Sequence, residues 1–393
     1  MKFDISPLLN QDLLDLRSVF QANGFDLRFV GGCVRDHVIG RSPKDVDLCT
    51  DADPAEQVAI YEQHNIKHIP TGIDHGTITV VMNDRVYEIT SLRLDVATDG
   101  RRATVAYTRD WTADAARRDF TMNAMSFTFD GTLIDPFNGH SDLKNGLVQF
   151  VGDADQRIKE DYLRILRWFR FRARFGYDTF AWQGKPHPNS EHIIANAEGL
   201  KQISRERIWS EIKQILSGPH GPIAMVDIHM HRCATPIGLP DFGPNISKSV
   251  NDFHARINDP IANLHRLYGS GTTSHILKQW KASKEEQDFA DFIINERWTT
   301  KADGYYLLAV GGYRRDWILK LAEICDVDEF EKFMLEGWVV PDFPVDGYDL
   351  MKMGMKPGPH YKRALDLLKE IWAMKGYVST KEELLASLPE RMR

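Results

Sequence analysis

The sequence predicts an α+β fold, in which a mixed α/β head is followed by an all-helical region. Short apolar runs separated by turn residues fill residues 25–150, which is typical of strands. After Gly152 the apolar residues recur every three or four positions, as they do in helices. The 393 residues are enough for two or three domains of roughly 150 residues each.

The head begins with a predicted helix at residues 7–23, and strands follow. The predicted strand segments are DLRFV, DVDLCT, GTITVVM, RVYEITSLR and MSFTFDGTLIDPF. The last of these contains the hairpin signal Asp130-Gly131. A second helix is predicted at DPAEQVAIYEQHN, with Asp53 as its N-cap and Pro54 as its first residue.

The helical region begins with RIKEDYLRILRWFRFRARFG, which predicts one helix from about Arg157 to Arg174, ended by Gly176. The segment SRERIWSEIKQILSG predicts another helix with Ser204 as its N-cap. Further helical stretches are WILKLAEI, HYKRALDLLKEIWAMKG and KEELLASL. These boundaries divide the chain into a head at 1–150, a neck at 151–220, and a body and tail at 221–393.

Composition narrows the class of protein. Apolar residues make up 42% of the chain and charged residues 27%, so a disordered or collagen-like chain is excluded. Lys and Arg total 49 against 56 Asp and Glu, a net charge of -7, which leaves room only for a local basic surface. No apolar run approaches the ~18 residues that span a bilayer, no secretory signal is seen, and the four cysteines are scattered. We therefore expect an intracellular, cytoplasmic protein without membrane contact.

The segment FVGGCVRDH combines a strand, a glycine turn and a helix start. The turn is Gly31-Gly32, and the helix start carries Arg35 and Asp36. Backbone N–H groups in such a turn can bind phosphate. A Gly-Gly turn after a strand is also typical of a simple tight turn, so this segment needs support from its neighbours.

Two carboxylates follow at Asp45 and Asp47 in KDVDL. Alternate residues of a strand share one face, so both are expected to point the same way while Val46 and Leu48 face the core. Adjacent carboxylates repel each other unless a cation lies between them. Mg²⁺, held by one or two carboxylates plus substrate phosphates, is the expected partner, and it would activate an attacking hydroxyl and stabilise a leaving pyrophosphate. The alternative is a solvated strand edge with two acids.

A second segment has nearly the same spacing in a different predicted context. GGYRRDWILKLAEICDVDEF contains Gly311-Gly312, Arg315, Asp316, Asp326 and Asp328. Here WILKLAEI is helical, and Asp328 with Glu331 fits a capping box. This segment is therefore predicted to be structural, because strand context, and not spacing, distinguishes the first.

Two more head segments carry candidate site residues. Glu88 lies in a strand that could neighbour the strand with the acid pair, and it is either a third carboxylate or a cross-strand partner of Arg93. Arg117, Arg118 and Asp119 begin RRDFTMN. Arginines bind triphosphate through bidentate donors, although a basic helix start on a solvated face is the alternative.

The predicted neck helix is strongly basic. Over residues 157–174 it carries seven basic and two acidic residues. One side carries Asp161 and a stripe of arginines, namely Arg164, Arg167, Arg170 and Arg174. Such a stripe beside aromatic side chains suits a triphosphate or an RNA backbone. The apolar residues between the arginines argue against a helix that is only solvated.

Taken in order, these segments resemble the class II tRNA nucleotidyltransferases, or CCA-adding enzymes, of the polymerase-β-like nucleotidyltransferase superfamily. GGCVRD with DVD is similar to the family's first motif, RRDFTMNAM to its second, DPFNGHSDL to its hinge motif and EDYLRILRWFRF to its nucleotide-recognition motif. SRERIWSEIKQIL is similar to the helix that follows, and MKPGPHYKRAL to a segment of the family's tail. The resemblance is dense over residues 25–217.

The resemblance implies a polymerase-β-like head that adds C, C and A to the 3′ end of tRNA from CTP and ATP, without a nucleic-acid template. It implies that Asp45 and Asp47 hold Mg²⁺. The head residues that it places at the nucleotide, with the last near the ribose, are Gly31, Gly32, Arg35, Arg118 and Asp119.

In the neck, the resemblance implies that Asp161 and Arg164 act as a protein template. Asp161 can accept from the exocyclic amine that C and A share, and Arg164 can donate to the adjoining ring acceptor. G and U present the opposite pattern, and each mispaired group costs about 1–3 kcal/mol. Arg167 and Arg170 would bind phosphate.

Related functions stay open as alternatives. The polar stretch from Leu94 to Ala116 is long, as in relatives that add all three nucleotides. Poly(A) polymerases of the family usually have an extended basic C-terminal region, which KEELLASLPERMR does not resemble, and they are the second interpretation. A non-catalytic RNA-binding protein on this scaffold and a small-molecule nucleotidyltransferase are the others. The C-terminal helices are expected to bind the tRNA acceptor arm, and nothing indicates an obligate protein partner.

Overall fold

The computed structural model describes residues 1–98, 103–176, 187–241, 259–296, 298–300, 302–356 and 358–389. It confirms the predicted class, a mixed-sheet head followed by helices. The chain forms two compact units, Met1–Val250 with Gln279–Lys281 and Asn251–Lys278 with Ala282–Arg393. The first unit contains both head and neck, and the finer division at 150 and 220 stays a prediction.

A seven-stranded sheet organises the head, in the order β3-β4-β5-β2-β1-β8-β9. Its strands are β1 (Leu27–Val30), β2 (Asp47–Thr50), β3 (Lys67–Gly72), β4 (Thr77–Met82), β5 (Arg85–Ser91), β8 (Ser126–Phe127) and β9 (Leu133–Ile134). Strands β2 and β5 are parallel, and the other paired neighbours are antiparallel. Leu48 and Ile89 are buried while Asp47 and Glu88 beside them are exposed. This alternation directs the apolar residues to the core and the acids to the opposite face.

Local signals predicted several element ends correctly. The Asp53 carboxylate accepts the Glu56 N–H at 2.8 Å, and Glu56 completes a capping box. The first helix starts later than predicted, with Asn10 as its N-cap. The head helices are α1 (Gln11–Ala22), α2 (Gly32–Val38), α3 (Pro54–Gln63), α4 (Trp111–Ala116) and α5 (Gly139–Lys144).

One head prediction was wrong in detail, and one was incomplete. Asp45 is not in a strand but in the bend before β2, because the chain leaving Pro43 does not reach the sheet until Asp47. The stretch from Leu94 to Ala116 is not only a polar loop. It carries helix α4 and a separate antiparallel pair, β6 (Arg93–Thr98) and β7 (Ala103–Tyr107), whose connecting residues 99–102 lie outside the described part of the chain.

The neck helix is broken where a single helix was predicted. Helix α6 (Ala154–Glu160) ends at Asp161, α7 (Leu163–Phe171) follows, and a π-helical turn spans Arg172–Gly176. Asp161 has extended backbone angles, φ -155° and ψ 104°, and its carboxylate accepts the Leu163 N–H at 3.1 Å. The N-cap of α7 is Tyr162, which makes no side-chain cap bond, so the local bond from the Leu163 N–H to Asp161 is what stabilises the non-helical turn between the two helices.

The rest of the described chain is helical. Neck and adjoining helices are α8 (Ser190–Asn196), the 3₁₀ segment Ala197–Gln202, α9 (Arg205–Leu216), α10 (Gly221–Met230) and α11 (Ala234–Ile237). Beyond residue 258 they are Pro260–Tyr268, Ser270–Gln279, Lys284–Asn295, Ala302–Ala309, Arg315–Ile324, Glu329–Gly337, Gly347–Lys352, Pro359–Met374 and Lys381–Ala386. The final helices pack around Trp372, Leu368 and Leu384. None of the helices in the described ranges has the length and apolar character needed to cross a membrane.

Candidate active site

A cavity of about 510 Å³ lies in the first unit. It is lined by residues of the inner strands β1, β2, β4 and β5 of the head sheet and by neck helix α7. It brings together all the predicted site residues except Asp45, namely Gly31, Gly32, Arg35, Asp47, Glu88, Arg118, Asp119, Asp161, Arg164, Arg167 and Arg170. These residues come from segments up to 139 positions apart (31 to 170), so the fold places one set of chemical groups around one space.

The acidic side of the cavity is set by strand pairing. Asp47 is the first residue of β2 and lies directly opposite Glu88 of β5, as one of the two predicted roles of Glu88 required. Asp45 lines an adjacent cavity of about 640 Å³ that Asp47 and Glu88 also line. Although the Asp47 side chain is exposed, partial loss of water around its carboxyl group, reinforced by the charges of Glu88 and Asp45, raises the pKa of Asp47.

This arrangement fits a hard cation only in combination with a substrate. Within the described ranges, no three His, Cys, Asp or Glu side chains are placed to hold a metal by themselves. Carboxylate oxygens that repel each other would gain from a divalent cation, and Mg²⁺ usually takes only one or two carboxylates and completes its shell with phosphates and water. The donor set is therefore of the kind that binds metal together with a nucleotide.

The glycine turn is required at this edge of the cavity. Gly31 has the backbone angles φ +70° and ψ -129°, which residues other than glycine rarely adopt. A Cβ added there would lie 3.3 Å from Nη1 of Arg118 and 3.9 Å from Oδ2 of Asp47. The missing side chain thus leaves room for an arginine and a carboxylate on the same side of the turn.

Arg35 is held in the cavity wall by partners that the sequence did not reveal. Its Nη1 donates to Oδ1 of Asn123 at 2.8 Å, and its Nε donates to Asp36 at 3.0 Å. The guanidinium carbon lies 5.1 Å from the ring centroids of both Phe171 and Phe175, within cation–π range. Head and neck residues therefore share the fixing of this one cation.

Arg118 is anchored by a buried acid. Its Nη2 lies 3.1 Å from Asp114, which also pairs with Arg117 at 2.7 Å. Although burial by itself raises it, the pKa of Asp114 is held below its ordinary value by Arg118 and Arg117. Sequence reasoning missed Asp114, because an acid in a short helix before RRD carries no signal of its own.

Asp119 joins the second motif to the neck. Its Oδ2 lies 2.6 Å from Nη2 of Arg167, and its Oδ1 accepts from Asn123 Nδ2 at 3.0 Å and from the Phe120 N–H at 2.9 Å. Asn123 therefore bridges Arg35 and Asp119. The spacing RRD-x-x-x-N was the only sequence signal for it.

Of the predicted base-reading pair, Asp161 lies in the helix break and Arg164 lies in the first turn of α7. Oδ2 of Asp161 accepts from Nη2 of Arg207 at 2.8 Å. The orientation of the Asp161 carboxylate is therefore set by α9 as well as by its bond from the Leu163 N–H. Arg164 donates through Nη1 to the Arg157 carbonyl and to Glu160, both at 2.7 Å. Arg207 was missed, and its place in SRERIW was the only available hint.

The arginine stripe divides into cavity and non-cavity members. Arg170 pairs with the buried Glu211 at 3.0 Å, and burial lowers the pKa of Arg170. Burial likewise raises the pKa of Glu211. Arg174, predicted to continue the stripe, does not line the cavity and instead contacts Asp36 at 3.2 Å, because the π-helical turn changes its direction.

Comparisons with known proteins find similar sequences along nearly the whole chain. A family model described as the poly A polymerase head domain matches residues 27–149. CCA tRNA nucleotidyltransferase 1, mitochondrial, of Mus musculus is 38% identical over 98% of this chain and 91% of its own length. The CCA-adding enzyme of Streptococcus thermophilus is 31% identical over 100% of both chains.

Solved structures share the fold. The CCA-adding enzyme of Bacillus stearothermophilus in complex with CTP is 27% identical and covers 97% of each chain, with a TM-score of 0.76. A tRNA nucleotidyltransferase complexed with a primer tRNA and an incoming ATP analog has the same fold at 22% identity and a TM-score of 0.58, over 82% of this chain and 96% of that one. Because relatives above 30% identity extend along nearly the whole sequence, the chain belongs to the family of CCA tRNA nucleotidyltransferases.

Proposed function

We propose that this chain adds C, C and A to the 3′ end of tRNA from CTP and ATP, and that the cavity described above is the place where each nucleotide reacts. One observation carries the proposal. The paired carboxylates Asp47 and Glu88 line the same 510 Å³ cavity as the base-reading candidates Asp161 and Arg164. A site with both features can select a nucleotide and transfer it without a nucleic-acid template.

The family generally uses divalent metal ions, and here Asp45 and Asp47 would hold Mg²⁺. The bound metal would lower the pKa of the attacking hydroxyl and stabilise the leaving pyrophosphate. Glu88, in register with Asp47, is the third carboxylate of this edge. Its charge favours a cation beside Asp47, because it contributes to the raised pKa of that residue.

The chain's own cations bind the triphosphate in this proposal. Arg35 and Arg118 approach from the head beside the Gly31-Gly32 turn, and Arg167 and Arg170 approach from α7. Most of these guanidiniums already have acidic or amide partners, so their orientations are set before a nucleotide binds. Preorganised donors of this kind stabilise charge without reorganisation during the reaction.

Asp161 and Arg164 select the base. The carboxylate of Asp161 can accept the exocyclic amine of cytosine or adenine while Arg207 and the Leu163 N–H hold it. Arg164 donates to protein groups through Nη1 in the described part of the chain, and in this proposal its Nη2 or Nε donates to the ring acceptor of the base. Uracil and guanine would leave these groups mispaired, at about 1–3 kcal/mol each.

The tRNA is bound by the helices of residues 221–393, with the head at 1–150 and the neck at 151–220 supplying the chemistry. The segment MKPGPHYKRAL belongs to this binding region, although Pro357 lies outside the described residues. We place the protein in the cytoplasm, where tRNA and both nucleotides are available.

The test is extension of a tRNA transcript that lacks its 3′ CCA, with Mg²⁺ and CTP, ATP or both. We expect a ladder that stops after three residues when both nucleotides are present. A long A tail would identify a poly(A) polymerase instead, and a stop after two residues would identify a C-adding enzyme. No extension by folded protein that still binds tRNA would identify a non-catalytic RNA-binding protein.

A further inference from the structure

Asp161 and Tyr162 form the two-residue break between α6 and α7, and a glycine from another segment supports it. Asp161 is extended and Tyr162 is helical, with φ -60° and ψ -17°. The carboxylate of Asp161 has two supports, the Leu163 N–H and Arg207. The carbonyls of Asp161 and Tyr162 also accept the backbone N–H groups of Arg164 and Ile165, at 3.0 and 3.1 Å.

The Tyr162 ring contacts the 3₁₀ segment Ala197–Gln202. A Cβ added to Gly199 would lie 2.0 Å from Cδ1 and Cε1 of Tyr162 and 2.5 Å from its Cγ. The Tyr162 ring therefore lies directly against the Cα of Gly199, at a distance that no other residue allows. Gly199 itself is buried.

Gly199 is required for space and not for backbone freedom. It is absent from the glycines with positive φ, so an alanine could adopt its backbone conformation without strain. An alanine would have to displace the Tyr162 ring by more than a small relaxation, because real Cβ atoms essentially never approach within 3.0 Å of other atoms. The displaced ring would carry the adjacent Asp161 with it.

We propose that Gly199 and Tyr162 are positioning residues for base selection, and that their contact fixes where Asp161 presents its carboxylate to the incoming base. This inference rests on the proposed function. Recognition of a base edge by one acceptor and one donor depends on sub-ångström placement, and a misplacement of about 1 Å can cost as much as 10²-fold in rate. Moving Asp161 relative to Arg164 should therefore weaken discrimination against uracil, which has the same ring size as cytosine.

The experiment compares kcat/KM for CTP and for UTP on tRNA lacking CCA, together with the melting temperature. We expect Gly199→Ala to lower the CTP to UTP ratio about 10-fold or more. Tyr162→Phe keeps the ring and should keep the wild-type ratio. Glu198→Ala is the control, because Glu198 is the exposed neighbour of Gly199 in the same 3₁₀ segment and its ion pair with Lys201 lies at the surface. It should keep the wild-type ratio and change the melting temperature little.

A second-site variant separates positioning from general destabilisation. Tyr162→Ala removes the ring, so adding Gly199→Ala to it should produce no further change in the ratio. If Gly199→Ala lowers only the melting temperature and leaves the ratio at the wild-type value, or if its effect persists in the Tyr162→Ala background, the inference is wrong. A wild-type protein that adds no nucleotide would instead overturn the proposed function.

Discussion

Two segments of this molecule share a pattern of Gly-Gly, Arg-Asp and Asp-x-Asp, and the fold uses them in opposite ways. In the head, Gly31, Arg35 and Asp47 line one cavity. In the second unit, the pattern from Gly311 to Asp328 surrounds helix Arg315–Ile324. Comparing the two shows which physical features turn a residue pattern into a site.

In the second segment the polar groups satisfy the ends of helices. Arg315 donates to the carbonyls of Glu336 at 2.9 Å and Trp338 at 2.7 Å, at the C-terminal end of the neighbouring helix Glu329–Gly337. Asp328 accepts the Glu331 N–H at 2.9 Å, which confirms the N-cap half of the predicted capping box. In the head the acid instead starts a strand beside another acid, Glu88, so its charge remains available.

The largest expected contrast is between the final acids of the two patterns. Asp47→Ala should lower CCA addition by roughly 10³-fold or more, because the metal that it helps to hold supplies several kcal/mol of charge stabilisation. Asp328→Ala should leave addition unchanged and lower the free energy of unfolding by about 1 kcal/mol through loss of the cap. Primer extension and urea denaturation measure the two effects. Equal activity of both variants would contradict the distinction between site and cap.

A buried and an exposed acid that pair with arginine should differ in how much they stabilise the folded protein. Asp114→Asn should lower the free energy of unfolding by about 3 kcal/mol at pH 7, because Arg117 and Arg118 lose a buried acid. Asp316→Asn, which removes an exposed partner of Arg314, should lower the free energy of unfolding by no more than about 0.5 kcal/mol.

The pH dependence follows from the direction of the shift. The pKa of Asp114 is lowered, so its stabilising effect is complete above the ordinary value of 3.8 and disappears as the pH falls through the lowered value. The loss caused by Asp114→Asn should therefore shrink on acidification below about pH 4. Denaturation curves at several pH values test this, and a loss that is constant with pH would contradict the ion-pair explanation.

The arginines of the two patterns should differ in kinetics. Arg35→Ala should lower kcat/KM for CTP and ATP alike by about 10²-fold, because a charged hydrogen bond is worth about 1.5–3 kcal/mol. Arg315→Ala should reduce stability and leave kcat/KM for both nucleotides unchanged. A change in the CTP to ATP preference of Arg35→Ala would argue against a role at the triphosphate, where the two nucleotides are identical.

The smallest expected effect is a shift in thermal stability on metal binding. Mg²⁺ added together with CTP should raise the melting temperature of the wild-type protein by a few degrees above that with CTP alone, since a ligand that binds only the folded state stabilises it. Asp47→Asn should show less of this increase, Asp328→Asn should match the wild type, and a chelator should reverse the increase. An equal response of all three proteins would place the metal elsewhere.

Much of the head and of the site could be predicted locally. The caps Asp53 and Asp328 were predicted from residue type and spacing, which act within a few positions of a helix end. The neighbouring strands of Asp47 and Glu88 were anticipated from alternating apolar residues, although the sequence left the role of Glu88 open.

Most of the missed features depend on contacts between distant segments. The sequence did not predict the break at Asp161, because LRILRWF continues the helical pattern of the residues before it. The bond from the Leu163 N–H and the pair with Arg207 are seen only in the structure. The bridge through Asn123 and the support of Tyr162 by Gly199 likewise join segments that the sequence lists apart.

The sequence by itself determined the fold class, the order of the elements, and which residues bear the charges and donors of the site. These properties depend on side-chain chemistry and on short-range periodicity. Only the tertiary structure decided that Asp47 faces Glu88, that Arg174 turns away to Asp36, and that Gly199 makes room for Tyr162. Strand register, the direction of a side chain and the space beside a glycine depend on segments that are far apart in the chain. They are set when those segments pack around a common core.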